Sequence, residues 1–148
     1  MKFINEHSQL EINKIIKKEL QNIEHKLKTD QYCRNYIEDY VEIFHKIISI
    51  DGEVFGIYFN VESFDDCNRK IQEITKYFKQ ISLEIQNAKG VISKVVLPKK
   101  EFNKKSTLDK LSNCYNILEC TISEEALFLP LHTNTNNNNF CVSILFFV

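Results

Sequence analysis

Apolar residues along this chain recur in two rhythms, one helical and one strand-like. Ile12, Ile16, Leu20, Ile23 and Leu27 fall three or four residues apart with Lys and Glu between them, after a capping-box pattern at Ser8-Gln9-Leu10-Glu11. This predicts a helix from Gln9 to Lys28, ended by Thr29-Asp30. A second helical stripe, Ile71, Ile74, Phe78, Ile81 and Ile85, follows Ser63 and the acidic turn Asp65-Asp66, and predicts a helix over 64–87 closed by Lys89-Gly90. Between the two stripes, β-branched and aromatic residues flank Asp51-Gly52. That pair supplies positive φ cheaply, so a hairpin is expected here, with strands over 43–50 and 54–61. Gly56 marks either a bulge or a close approach of backbone in the second of these strands. The chain is expected to be organised around this unit of hairpin, cap and helix over 47–78.

The first strand of that hairpin has a competitor. Ile37, Val41, Phe44 and Ile48 also form a helical stripe, but the density of Ile and the turn that follows favour a short helical or irregular piece over 34–40 and then the strand. Downstream, 91–97 reads as a strand stopped by Pro98, 99–105 as a basic loop, and 106–113 as a short helix opened by Ser106. Strands are expected over 115–122 and 126–131, joined around Ser123-Glu124-Glu125, with Pro130 assigning the second to a sheet edge. The Asn-rich tract 133–139 buries nothing apolar and is expected to be a connecting loop into a last strand over 140–148. The resulting class is α+β, one domain of 148 residues. A mainly antiparallel sheet of five to six strands is expected to pack with two long helices and one short helix, because the element order is not a repeating βαβ.

Composition narrows the chemistry. With 19 basic and 20 acidic side chains, there is no overall charge to draw nucleic acid or membrane. Only 3 Gly and 2 Pro are present, and no Walker or dinucleotide glycine pattern occurs. No cofactor is expected. Met1 to Leu10 has no signal-peptide core, and the apolar stretch 140–148 is too short for a membrane helix, so a cytoplasmic protein is expected. The five cysteines, Cys33, Cys67, Cys114, Cys120 and Cys141, contain no Cys-x-x-Cys pair and read as reduced core thiols without a disulfide.

Catalytic arrangements are weak. Cys114, Cys120 and Cys141 share the C-terminal half with His132, yet lie inside apolar patterns typical of inert thiols. His7, His25, His45 and His132 are too scattered for zinc, so no metal site is expected. The pairs Glu38-Asp39, Asp65-Asp66 and Glu124-Glu125 are adjacent residues, which point in different directions and suit caps and solvated turns better than two-carboxylate chemistry. Aromatic residues of the central unit, including Phe55, Tyr58, Phe59, Phe64 and Tyr77, have mainly acidic neighbours and read as core. The run Lys94, Lys99, Lys100, Lys104, Lys105 and Lys110 reads as a solvated loop, and no nucleic-acid partner is expected.

Charge is segregated along the chain. Residues 31–75 carry 4 basic and 9 acidic side chains, whereas 76–110 carry 9 basic and 3 acidic. Blocks of opposite sign without a catalytic motif point to a docking surface, since complementary fields speed encounter and fix register. The expectation is a non-enzymatic protein-binding module, an inhibitor of the immunity or antitoxin kind, whose acidic face occludes the basic cleft of a toxin acting on nucleic acid. The face would comprise Glu38, Asp39, Glu42, Asp51, Glu53, Glu62, Asp65 and Asp66, with Tyr58 and Phe64 as anchors. The alternatives are a secretion-type chaperone or adaptor, and a small enzyme with a thiol or carboxylate pocket.

Overall fold

The computed structural model describes residues 2–3, 9–28, 37–80, 87–102, 106–135 and 138–148. Expectations for Ser8, Thr29-Asp30, Cys33, 34–36, 81–86, Lys104-Lys105 and 136–137 lie outside the described residues, as do the side chains of Glu38, Asp39, Tyr77 and Phe78. The elements run β1 (Lys2–Phe3), α1 (Gln9–Lys28), α2 (Ile37–Ile48), β2 (Val54–Asn60), α3 (Phe64–Gln80), β3 (Gly90–Pro98), α4 (Lys99–Phe102), α5 (Thr107–Glu119), β4 (Leu127–Thr135) and β5 (Cys141–Phe147).

One sheet holds all the described strands in the order β1-β2-β5-β3-β4. It is mixed, with β5 antiparallel to both neighbours and β3 parallel to the edge strand β4. The C-terminal strand therefore lies at the centre. Along β5, Val142, Ile144 and Phe146 face one way with Ile57, Phe59, Val91 and Val95, and these pack with Cys67, Ile71 and Ile74 of α3 and Leu111, Cys114 and Leu118 of α5. Leu145 and Phe147 face the other way with Ile92, Leu129 and Leu131, and pack with Ile16, Ile23 and Leu27 of α1 and Phe44 and Ile47 of α2. The alternation of a strand thus builds two cores, and the sheet carries a helical layer on each face.

Two expected strands are helices. Residues 43–48 belong to α2, with Ser49 and Ile50 in the turn that follows, and in the helix Phe44 and Ile47 are buried while Ile48 is 38% exposed. Burying one stripe against the sheet outweighs the β-propensity of the isoleucines, and no hairpin forms at Asp51-Gly52. The pair instead turns the chain from helix to strand, with Gly52 at φ 144° and the Val148 N–H donating to the Glu53 carbonyl. Residues 115–119 continue α5, whose Thr107, Leu111, Cys114 and Leu118 form a single buried stripe. Losing these strands removes the antiparallel pairings expected of them, which is why the sheet is mixed and why, among the described residues, four helices of 12 residues or more flank it.

Smaller corrections follow the same logic. The β2–β5 ladder is continuous through Gly56, so there is no bulge. Gly90 does not cap a helix. It begins β3 in close packing with α2, where an added Cβ would meet Ile50 at 2.9 Å and Ile47 at 3.0 Å. The start of the basic loop is the single turn α4, and β4 runs into the Asn-rich tract as far as Thr135.

Candidate functional site

The end of the sheet where β2 and β3 finish and β5 begins opens into a cleft of about 620 Å³. Its position follows from local signals. Ser63 caps α3, its Oγ accepting from the Asp66 N–H at 3.1 Å, while Asp66 Oδ2 accepts from the Glu62 N–H at 3.0 Å. This reciprocal cap fixes the angle at which the chain leaves β2 and sets Phe64 against Phe140, edge to face with centroids 5.0 Å apart. Pro98 ends β3 on the other side of the opening, and α4 and the first turns of α5 close it.

The rim is charged on both sides. Glu62, Asp65 and Glu101 contribute carboxylates, and Lys100 and Lys110 contribute ammonium groups. Lys110 also places Nζ 5.6 Å from the centre of the Phe64 ring, a cation–π arrangement. Asn68, Asn113 and Asn138 add amides, the last from the Asn-rich tract. An apolar floor with donors and acceptors of both signs around it is suited to peptide or side-chain recognition.

Asp66 lies just outside, in a smaller hollow of about 270 Å³ with Arg69 and Lys70. Its charge is spent inside the molecule. Arg69 pairs with it closely, Lys70 Nζ approaches at 3.5 Å and also donates to the Asn60 carbonyl at 2.5 Å, and Arg69 reaches Glu73 at 3.4 Å. The Glu62 backbone N–H, with Arg69 and Lys70 behind it, holds the Asp66 carboxyl below the usual carboxylate range.

The expected acidic face is divided by the fold. Glu62, Phe64 and Asp65 come together at the cleft, with Asp66 beside them. Asp51 and Glu53 precede the opposite end of β2, a strand of 7 residues, which puts them roughly 20 Å away. Tyr58 is 41% exposed but points to the α1/α2 side of the sheet, away from Phe64, with its hydroxyl 3.4 Å from Asn60 Oδ1. A hydrogen bond with Cys141, together with burial, pushes the Tyr58 hydroxyl up to about 12. Glu42 is on the solvent side of α2, bridged to Lys46 at 3.1 Å, and Glu38 and Asp39 lie in the first turn of the same helix.

Sequence patterns missed half of the cleft, because Lys100, Glu101, Lys110, Asn113 and Asn138 come from segments read as a solvated loop, a short helix and a linker. Lys94 also leaves the basic run. It is 7% exposed on β3, and its ammonium pairs with Glu19 of α1. Among the thiols, Cys67, Cys114 and Cys141 are buried and Cys120 is exposed, all four free. Burial holds the His132 imidazole below its ordinary value. Among the described residues no group of three or more His, Cys, Asp or Glu is placed to hold a metal ion, and no helix is long and apolar enough to cross a membrane.

No protein-family model and no curated protein matches this sequence. Solved structures do. A single-substitution variant of FtsZ from M. jannaschii superposes with a TM-score of 0.59 at 14% identity, over 96% of this chain and 41% of the FtsZ chain. An empty dimer of the same FtsZ gives 0.41 at 17% identity, over 62% of this chain and 26% of that one. A GTPγS-form protofilament of TubZ from Bacillus thuringiensis serovar israelensis gives 0.36 at 15% identity, over 63% and 24%. The first of these establishes a likeness of fold to a segment of FtsZ. The chain spans about two fifths of the FtsZ structure it matches.

Proposed function

We propose that this chain is a protein-binding module that engages its partner through the cleft between α3, α4 and α5. The observation that carries the reading is the composition of that cleft. An aromatic floor of Phe64 and Phe140 is ringed by the carboxylates of Glu62, Asp65 and Glu101 and by the ammonium groups of Lys100 and Lys110. A few aromatic anchors inside a polar rim are the features that concentrate affinity in protein interfaces, and charges of both signs fix the orientation of what docks. The likeness to a segment of FtsZ is a likeness of fold and leaves function open.

Within this class, the inhibitor of the immunity or antitoxin kind keeps its place in a narrower form. The acidic contact is Glu62 and Asp65, not the whole block from 31 to 75, because Asp66 is neutralised by Arg69 and Lys70 and because Asp51 and Glu53 lie at the far end of β2. A lysine- or arginine-rich cleft of a toxin acting on nucleic acid is the partner surface that fits this edge.

Capture of partners from the native cell tests the proposal, with the wild-type chain, Glu62→Lys/Asp65→Lys and Asp51→Lys/Glu53→Lys as baits at low and moderate salt. A stoichiometric partner is expected on the wild type and on the Asp51/Glu53 variant, and is expected to be lost from the Glu62/Asp65 variant. Asp65 sits in the first turn of α3, so its reversal costs the helix on the order of 0.5 kcal/mol and leaves the fold intact. Retention by the Glu62/Asp65 variant, or absence of any stoichiometric partner, overturns the reading.

A further inference from the structure

Three asparagines line the cleft, each from a different segment: Asn68 from α3, Asn113 from α5 and Asn138 from the approach to β5. Phe64 and Asn68 lie one turn apart on the same face of α3, and Lys110 and Asn113 do the same on α5. Asn68 is half-buried, and its Oδ1 accepts from Cys114 Sγ of α5 at 2.9 Å, which leaves its Nδ2 donors for the cleft. Asn113 and Asn138 are exposed. A carboxamide carries the same donor and acceptor pair as a peptide bond, so it matches backbone groups that lack another partner. A folded surface offers few of these, because its N–H and C=O groups are already paired within it. An extended segment offers them at every residue. The volume agrees, since about 620 Å³ is the size of a pocket that encloses a ligand, whereas a folded partner needs on the order of 800 Å² of surface on each side.

Charge adds a second condition. Glu62 and Asp65 come from the corner between β2 and α3, while Lys100 and Lys110 come from α4 and α5. We propose that the cleft takes an extended segment of the partner, held through its backbone by Asn68, Asn113 and Asn138, with one basic side chain toward Glu62 and Asp65 and one acidic side chain toward Lys100 and Lys110. This rests on the protein-binding reading above and narrows it, because the basic contact then comes from a loop or terminus of the partner and not from a folded face. The amides supply affinity that is indifferent to sequence, and the two charges select the segment and its direction. Lys110 stands over the Phe64 ring, so its ammonium group is positioned before the segment arrives.

Capped peptides test this without the native partner. Ac-Gly-Lys-Ala-Ala-Glu-Gly-NH2 and the reversed order Ac-Gly-Glu-Ala-Ala-Lys-Gly-NH2 are titrated into the full isotope-labelled chain, with Ac-Gly-Lys-Ala-Ala-Lys-Gly-NH2 as the like-charged control, and side-chain amide signals are followed by NMR. At least one mixed-charge order is expected to shift the amide signals of Asn68, Asn113 and Asn138 saturably, with a Kd on the order of 1 mM. The control is expected to bind about threefold more weakly. Asn113→Ala/Asn138→Ala, which changes two exposed side chains, is expected to keep its melting temperature and to weaken the better peptide about tenfold. No saturable shift with either order up to about 10 mM overturns the proposal. So do shifts confined to other residues, an affinity unchanged in the double variant, or a control that binds as tightly. Partner capture that is lost in Glu62→Lys/Asp65→Lys while neither mixed-charge peptide binds overturns the segment alone and leaves the protein-binding reading standing. Absence of any captured partner overturns that reading itself, whatever the peptides do.

Discussion

Lys94 and Glu19 form an ion pair between the centre of the sheet and α1, and the fold makes a quantitative statement about it. Lys94 is 7% exposed, and in the sheet it lies next to Ser143 and Leu131, with Tyr58 one strand further on. The Glu19 side chain is 24% exposed, but its Oε1 faces Lys94 and is out of contact with solvent. Replacing Lys94 by Met keeps the length of the side chain and removes the counter-charge, leaving a carboxylate oxygen buried. Breaking a buried pair costs about 3 to 5 kcal/mol. The partial exposure of Glu19, and the nearby Lys26, whose own pKa is lowered by burial and by Lys94, place this case at the lower end, about 3 kcal/mol. Against a typical stability of about 5 to 15 kcal/mol this is a large fraction. The double variant Lys94→Met/Glu19→Leu removes both charges and fills the space with apolar atoms, so it is expected within about 1 kcal/mol of wild type. Urea unfolding followed by circular dichroism gives the four free energies of the cycle, with unchanged m-values required for the comparison. A Lys94→Met variant within about 0.5 kcal/mol of wild type, or a double variant as unstable as the sum of the singles, refutes the coupling.

Other consequences are simpler to check. Deleting 144–148 removes Ile144, Leu145, Phe146 and Phe147, each at most 2% exposed in the central strand. At about 1.5 to 3 kcal/mol per side chain the loss equals the whole stability, so the truncated chain is expected not to fold, and a soluble form that melts cooperatively would contradict this. Gly52→Ala places a Cβ 2.0 Å from the Val148 carbonyl oxygen at a φ of +144°, and a loss of about 2 kcal/mol or more is expected in thermal unfolding. His132 is kept neutral by burial. Above its ordinary value of 6.5 both folded and unfolded chains carry it neutral. As pH falls below that, the unfolded chain takes the proton first, so stability declines until the lower folded value is passed. His132→Gln is expected to flatten the fall in melting temperature as the pH drops below 6.5 relative to wild type.

Several features needed nothing beyond the sequence. The stripe Ile16, Ile23 and Leu27 and the cap at Ser63 both encode their partners locally, through spacing of three or four residues and through a side chain that bonds three residues on. The strands at 54–60, 90–98 and 141–147 were legible because apolar runs of that length between breakers bury best as strands. The edge position of Pro130 was also legible, since proline cannot donate to a ladder. By contrast, 43–50 and 115–119 carry both rhythms at once. Only the presence of a sheet face needing cover selects the helical stripe of Phe44 and Ile47, or of Cys114 and Leu118.

The cleft was the least legible feature, because its residues come from four separate stretches: Glu62 to Asn68, Pro98 to Glu101, Lys110 to Asn113, and Asn138 to Phe140. What unites them is the sheet order. The last strand is apolar on both faces, so it is buried only at the centre of the sheet, between β2 and β3. Inserting it antiparallel to both neighbours brings its first residues beside the last residues of each, and Phe140 thereby meets Phe64. The sequence determined which segments are apolar on one side and which on two. Tertiary packing alone decided which ends of those segments meet, because that depends on strand order and not on any local spacing.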